Sequence, residues 1–320
     1  MRVLFVTPPK KKAFHAMAPL AGALRTAGHE VRIAAHPAFT RTISSAGLTA
    51  LPLGERDPKT KPDSPDATET IRFAECWRPD LVVGEPSAAA GPAAAKATGA
   101  AHAQVLWQAT HDDADGHFVI EQLPPSLRTK DHVHSVDVRH TPYRGPVTIH
   151  TWLWSPPRRP RVALVPGSGV LAGLTESLAD LDIEIVATDT DTGQHIVFPD
   201  NVRLGTAAPI DAIVSGCAAV IHDGSADTVA TTSLHGVPHL ALPSRPDQSA
   251  LAEKIAESGA GLHISAGQRS GEEVRAALLR LLGEPAFRAG AGRLRDEVLA
   301  MPSANEVVPH LVELADKYRA

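Results

Sequence analysis

Three observations predict an α/β chain of two Rossmann-like domains facing a cleft. Short apolar runs alternate with Ala-rich stretches, a proline- and arginine-rich break is followed by a second such series, and 320 residues suffice for two cores. Runs of this kind suit parallel strands, because helices cover both faces of a parallel sheet and both faces must be apolar.

In chain order, the first series places strands near Val3 to Thr7, Val31 to Ala35, Leu81 to Gly84 and His102 to Leu106. Helices are expected over Ala18 to Ala27, Ala67 to Cys76 and Ala88 to Thr98. Charge and proline make Glu55 to Asp63 a surface loop. Trp152 to Pro160 holds three prolines and two arginines, the composition of an extended linker. The expected division is therefore 1–150, a linker at 151–160, and 161–320. The second series gives strands near Val162 to Val165, Ile183 to Ala187, Ala218 to Ile221 and His239 to Leu242, with a helical tail from Glu272 onward.

Composition narrows the class. A hydrophobic content of 43% with 21% charged residues is that of a soluble globular protein. A formal charge of -5 argues against a nucleic-acid binder, which carries a basic face. The start, Met1 to Thr7, has too short an apolar run for a signal peptide, and no stretch reaches membrane-spanning length. Cys76 and Cys217 lie far apart in apolar-flanked segments, which reads as core filling in a reduced, cytoplasmic protein.

The most informative stretch is Val220-Ile221-His222-Asp223-Gly224-Ser225-Ala226-Asp227-Thr228, followed by Gly236-Val237-Pro238 and by Pro243 to Gln248. An apolar strand ends at His222, small residues turn the chain, and a helix begins near Ala226. Such a unit turns unpaired N–H groups and the positive end of a helix dipole outward, where they suit a phosphate. His222 offers a further donor, and Asp247 and Gln248 offer hydrogen bonds suited to sugar hydroxyls. The combination points to a nucleotide-sugar site.

These residues resemble the donor signature of the inverting GT-B glycosyltransferases, in the branch that attaches deoxysugars to natural products such as macrolides and anthracyclines. The likeness continues in Met17 to Val31, Trp77 to Val82, Pro124 to Arg128, Pro142 to Gly145 and Pro199 to Leu204, in shared order. It implies the GT-B fold, with helices of the tail crossing back to the first domain. It also implies a thymidine- or uridine-diphosphate sugar as donor, a small-molecule hydroxyl as acceptor, and neither metal nor other cofactor. On the donor side it implies phosphate contacts at Gly167, Ser168, His222, Gly224 and Ser225, and sugar contacts at Asp247 and Gln248.

Departures from the pattern matter as much. The family's base stands in the loop after the first strand, and the register puts Ala13 there; His15, two residues on, is the nearest titratable substitute. A segment that covers the acceptor pocket in relatives is missing after Trp107. A homodimer or an auxiliary protein completing that pocket is left open. The shortened loop offers His111, Asp112, Asp113, Asp115 and His117, with Asp113 as the second candidate base; spacing gives no metal site here or at His132 and His134, a pair expected to alternate on a strand. Asp227 replaces a small residue, where it would repel a diphosphate, and Ala207 replaces a base-stacking aromatic. His235 and His239 read as structural. Two readings follow: an active NDP-sugar transferase, or a degenerate relative that serves as a binding or auxiliary module or performs a non-glycosyl reaction.

Overall fold

A computed structural model describes residues 1–54, 65–107, 116–165, 171–188, 198–205 and 208–320. The first sheet contains β1 (Arg2–Val6), β2 (Glu30–Ala35), β3 (Ala50–Pro52), β4 (Leu81–Gly84), β5 (Ala101–Leu106), β6 (Phe118–Glu121) and β7 (Ser135–Asp137), in the spatial order 3-2-1-4-5-6-7. Its helices are α1 (Lys11–Thr26), α2 (Thr40–Ser45), α3 (Ala67–Trp77) and α4 (Ala90–Thr98). The second sheet contains β8 (Arg161–Val165), β9 (Glu184–Ala187), β10 (Val202–Leu204), β11 (Ala219–His222), β12 (His239–Ala241) and β13 (Gly261–His263), ordered 10-9-8-11-12-13. With it run α5 (Leu171–Ser177), α6 (Ile210–Val214), α7 (Ala226–Leu234), α8 (Pro246–Glu257), α9 (Gly271–Gly283), α10 (Pro285–Ala300) and α11 (Val308–Tyr318). All pairings among these strands are parallel.

Each sheet reverses its strand order once, between β1 and β4 and between β8 and β11. Ligands of open α/β sheets bind beyond the carboxyl ends of the strands at such points. The chain leaves β1 into α1 at one of them and leaves β11 into α7 at the other.

Helix α1 starts at Lys11, seven residues before the expected Ala18, and runs through Pro19. The apolar stripe Ala13, Phe14, Met17, Leu20, Ala21 and Leu24 is buried from its first member, at the 3–4 spacing of one helix face. Burying side chains such as Phe14 and Leu20 yields roughly 1.5–3 kcal/mol each, enough to offset a proline in mid-helix. Ala13 and His15 therefore stand on a helix, not in a loop.

The tail returns as the resemblance implies. Val308, Leu311 and Ala315 of α11 join the core under the first sheet. Arg319 pairs with Asp80, and the Ala320 N–H donates to the Gly99 carbonyl at 2.9 Å. A second apolar cluster joins the halves, Leu123 and Leu127 packing with Val229, Leu251, Ile255 and Leu294.

Several smaller expectations change. Cys76 is exposed, so it does not fill a core; Cys217 is partly buried, donates to the Ile213 carbonyl at 3.1 Å, and has its thiol pushed up to about 12 by burial. His132 and His134 both precede β7, His134 in a turn, and do not alternate on a strand. The Arg161 and Arg203 guanidinium groups lie over the Trp152 indole at 5.3 and 4.9 Å, which ties this segment to the strand starts of the second sheet. The expected surface loop Glu55 to Asp63 lies outside the described residues.

Candidate functional site

The site begins where β11 ends. Its four residues are buried, and Gly224 then turns the chain with φ +82, a conformation that favours glycine. A Cβ at Gly224 would meet the Gln248 carbonyl oxygen at 3.1 Å, so the close approach of two loops also requires glycine. Helix α7 begins at Ala226, leaving its first-turn N–H groups without intrahelical partners.

His222 does not open into this turn. It is 1% exposed, and its Nδ1 accepts from the Gly224 N–H at 3.0 Å. Its Nε2 lies 3.0 Å from Nδ1 of the buried His239, whose Nε2 lies 3.3 Å from the Ser233 hydroxyl. One tautomer assignment satisfies all three contacts: both rings neutral, each protonated on Nε2 and donating onward. Burial drives both pKa values down, His222 to about 4 and His239 well below its ordinary value. The direct phosphate contact expected of His222 therefore has no free ring nitrogen behind it. The ring holds the loop from beneath.

Asp223, the residue in place of the family's second histidine, has a matching part. One carboxylate oxygen accepts from the Ser225 N–H and the other from the Gln248 side-chain amide, each at 2.9 Å. The Gln248 side-chain oxygen Oε1 accepts from the Ser244 and Arg245 N–H groups at 3.0 and 3.2 Å. Gln248 is thus buried and joins the two loops, with its side-chain oxygen and one of its two amide N–H donors taken up there. Asp247 does reach the cleft. It is held in a two-pronged pair by Arg245, at 3.0 and 2.9 Å, whose hydrogen bond keeps its carboxyl below the usual range.

Asp227, in the first turn of α7, points across the cleft. Its carboxylate meets Arg144 at 2.5 Å and lies 3.7 Å from His140 Nε2, which also contacts the Thr231 hydroxyl at 3.2 Å. Half-buried His15 belongs to the same cluster. Its ring meets Tyr143 edge-on at 5.4 Å, and its Nε2 lies beside Gly145. Burial is the main cause lowering its pKa, Arg144 and Lys11 add to that, and Asp227 opposes it. The imidazole is therefore largely neutral at pH 7, as a general base requires.

The cleft between the two halves encloses a cavity of about 90 Å³, lined by Lys12 and Trp107 on one side and Gly224, Ser225, Ala226, Asp227, Arg245 and Asp247 on the other. A smaller recess of about 10 Å³ continues past Gln122, Leu123 and His140. A larger groove of about 610 Å³ lies at the opposite ends of the strands, beside the linker. Its Arg159, Arg161 and Arg203 are matched by Asp182 and Glu184, and strand carboxyl ends do not face it, so the site belongs to the cleft.

Of the expected site residues, Gly224, Ser225 and Asp247 line the cavity, His15 is outside its lining and connects to it through the charge of Asp227, and His222 and Gln248 support it from behind. Asp113, Gly167, Ser168 and Ala207 lie outside the described residues. His117 is taken up elsewhere: its Nδ1 accepts from the His102 N–H at 3.0 Å and its ring stacks on Tyr318 at 5.1 Å. Sequence reasoning missed Lys12, Trp107, His140, Arg144 and Arg245. Arg245 and Arg144 lie inside stretches already singled out, Pro243 to Gln248 and Pro142 to Gly145, Trp107 borders the shortened segment, and Lys12 ends the run Lys10-Lys11-Lys12; His140 carried no signal. Among the described residues, no group of three or more His, Cys, Asp or Glu is placed to hold a metal.

Two parallel-sheet domains facing a cleft, with a phosphate-type turn on it, form the GT-B architecture. Residues 172–314 match the C-terminal domain of the family described as "Erythromycin biosynthesis protein CIII-like", and residues 22–61 and 64–115 match its N-terminal domain. The chain belongs to this family of natural-product glycosyltransferases. It is 32% identical to the 10-deoxymethynolide desosaminyltransferase of Streptomyces venezuelae and 34% to the TDP-daunosamine transferase DnrS of Streptomyces peucetius, each over 100% of this chain and 98% of the relative. Those alignments run over 419 and 424 positions against 320 residues here, so the relatives carry segments that this chain lacks. Among solved structures it is similar to the spinosyn forosaminyltransferase SpnP (TM-score 0.88, 31% identity, 99% of each chain). It is also similar to the glycosyltransferase VinC in complex with dTDP (TM-score 0.88, 30% identity, 99% of this chain and 100% of that one).

Proposed function

We propose that this protein transfers a deoxysugar from a thymidine-diphosphate sugar to a hydroxyl of a macrolide- or anthracycline-type acceptor, with inversion at the anomeric carbon. The observation that carries this reading is the meeting, in one cleft, of His15 from α1 and the start of α7. In the reaction, neutral His15 takes the acceptor hydroxyl's proton as that oxygen attacks the anomeric carbon. The bond from that carbon to the phosphate oxygen breaks, and the leaving diphosphate carries away the electron pair. The first-turn N–H groups of α7 stabilise its charge, while the Ser225 hydroxyl donates to Thr228 Oγ1 at 3.1 Å and shapes the turn. Asp247 orients the sugar, and Gln248 and His222 hold the two loops at their separation. The choice of thymidine over uridine follows the nucleotide bound by VinC and the donor named for the daunosamine transferase.

One observation favours the second reading, a binding module that has lost transfer. The Gly224 and Ser225 N–H groups are occupied by His222 and Asp223. Incubation with a TDP-deoxysugar and a panel of aglycones, followed by mass spectrometry, separates the two. Glycosylated product with stoichiometric TDP supports the transferase; TDP binding with no product from any aglycone supports the module.

A further inference from the structure

We propose that Lys12 is the cation that meets the donor's diphosphate from the opposite side of the cleft, a task that the loop after β11 does not perform in this chain. The inference rests on the donor reading above and adds a residue from the other half of the molecule.

Lys10, Lys11 and Lys12 open α1 with no acidic residue in its first turn. The positive end of a helix dipole repels cations, so three lysines there oppose helix formation. Of the three, Lys12 lines both the main cavity and the adjoining recess, facing Gly224, Ser225 and Ala226. The carboxylates of the same lining are already matched, Asp227 by Arg144 and Asp247 by Arg245. Among the described residues Lys12 has no ion-pair partner of its own. The indole N–H of Trp107, another member of both linings, is buried without a hydrogen-bond acceptor. An unpaired buried donor and an unmatched cation, set against a helix start, call for an anion with several oxygens. On the loop side, both nitrogens of His222 are spent on Gly224 and His239. The positive charge that the diphosphate needs thus comes from α1.

Calorimetric titration of the full chain with TDP and, separately, with thymidine tests this. Lys12→Met should weaken TDP binding roughly ten- to a hundredfold and leave thymidine binding unchanged. The loss should shrink as salt rises, and Lys12→Arg should restore most of the affinity. Lys10→Ala should bind TDP as the unaltered protein does. Because Lys12 is exposed and opposes the helix dipole, Lys12→Met should melt no lower than the parent, which separates a lost contact from a lost fold. If the unaltered protein binds TDP and Lys12→Met binds it equally well, the assignment of Lys12 is wrong and the donor site stands. If Lys12→Met loses TDP and thymidine alike, Lys12 does not act on the phosphates. If the unaltered protein binds thymidine and TDP with equal affinity, no phosphate subsite exists and the donor reading falls with it.

Discussion

His222 shows how one side chain can be legible in type and misread in role. A histidine closing a strand before Gly224 suggests a phosphate donor, yet the partner that decides the matter, His239, lies 17 residues away on the neighbouring strand. Parallel pairing sets His222 beside Ala241 and Val220 beside His239, a register that no local pattern announces. Replacing His222 with Ala should cost about 1–3 kcal/mol of stability, because it orphans the Gly224 N–H and a buried ring nitrogen. Stability should also depend on acid. His222 titrates near 6.5 when unfolded and near 4 when folded, so the folded protein binds fewer protons between these values. Its contribution is complete above pH 6.5 and is lost as pH falls through about 4. Urea melts at pH 7 and 5 should show a smaller pH effect in His222→Ala than in the parent; an equal effect would assign the acid sensitivity to other groups.

At the scale of elements, β11, its turn and α7 were legible because an apolar run, small residues and a helix start coincide. Gly224→Ala tests that turn. With φ +82 and a 3.1 Å contact to the Gln248 carbonyl, the substitution should cost about 1–3 kcal/mol in thermal unfolding and pull α7 away from α8. A variant as stable as the parent would show that the loops are not tightly joined. The start of α1 was not legible, because its three lysines are the reverse of a helix start signal and an internal proline falls where a helix start is commonly read. His15 was for that reason expected in a loop, although the apolar stripe from Ala13 onward marks the helix. Asp227 was legible as an anomaly and not as a solution. Its partner Arg144 is 83 residues away, and their pairing turns an apparent liability for phosphate into a bridge between the halves. Arg144 is partly open to solvent, so this bridge should be worth less than about 1 kcal/mol in a double-mutant cycle.

The whole molecule is held together by more than that bridge. Leu127 is fully buried among residues of the other half, and Leu127→Ala should cost about 2–5 kcal/mol, measured by denaturant unfolding. If the cluster fixes the cleft, the same variant should also lower transfer rate. The cleft in turn decides function, since the base, the donor helix and the Arg144–Asp227 bridge come from both halves and act only when these are correctly placed. The most direct test of this account is the pH profile of sugar transfer by the parent and by His15→Ala. The account predicts a parent rate that rises with pH through a pKa below 6.5 and then levels, since burial lowers the His15 pKa and only the neutral ring accepts a proton. His15→Ala should fall by roughly a hundredfold or more and lose that rise, with TDP affinity intact. A His15→Ala variant that keeps the parent's rate and pH profile would contradict the account.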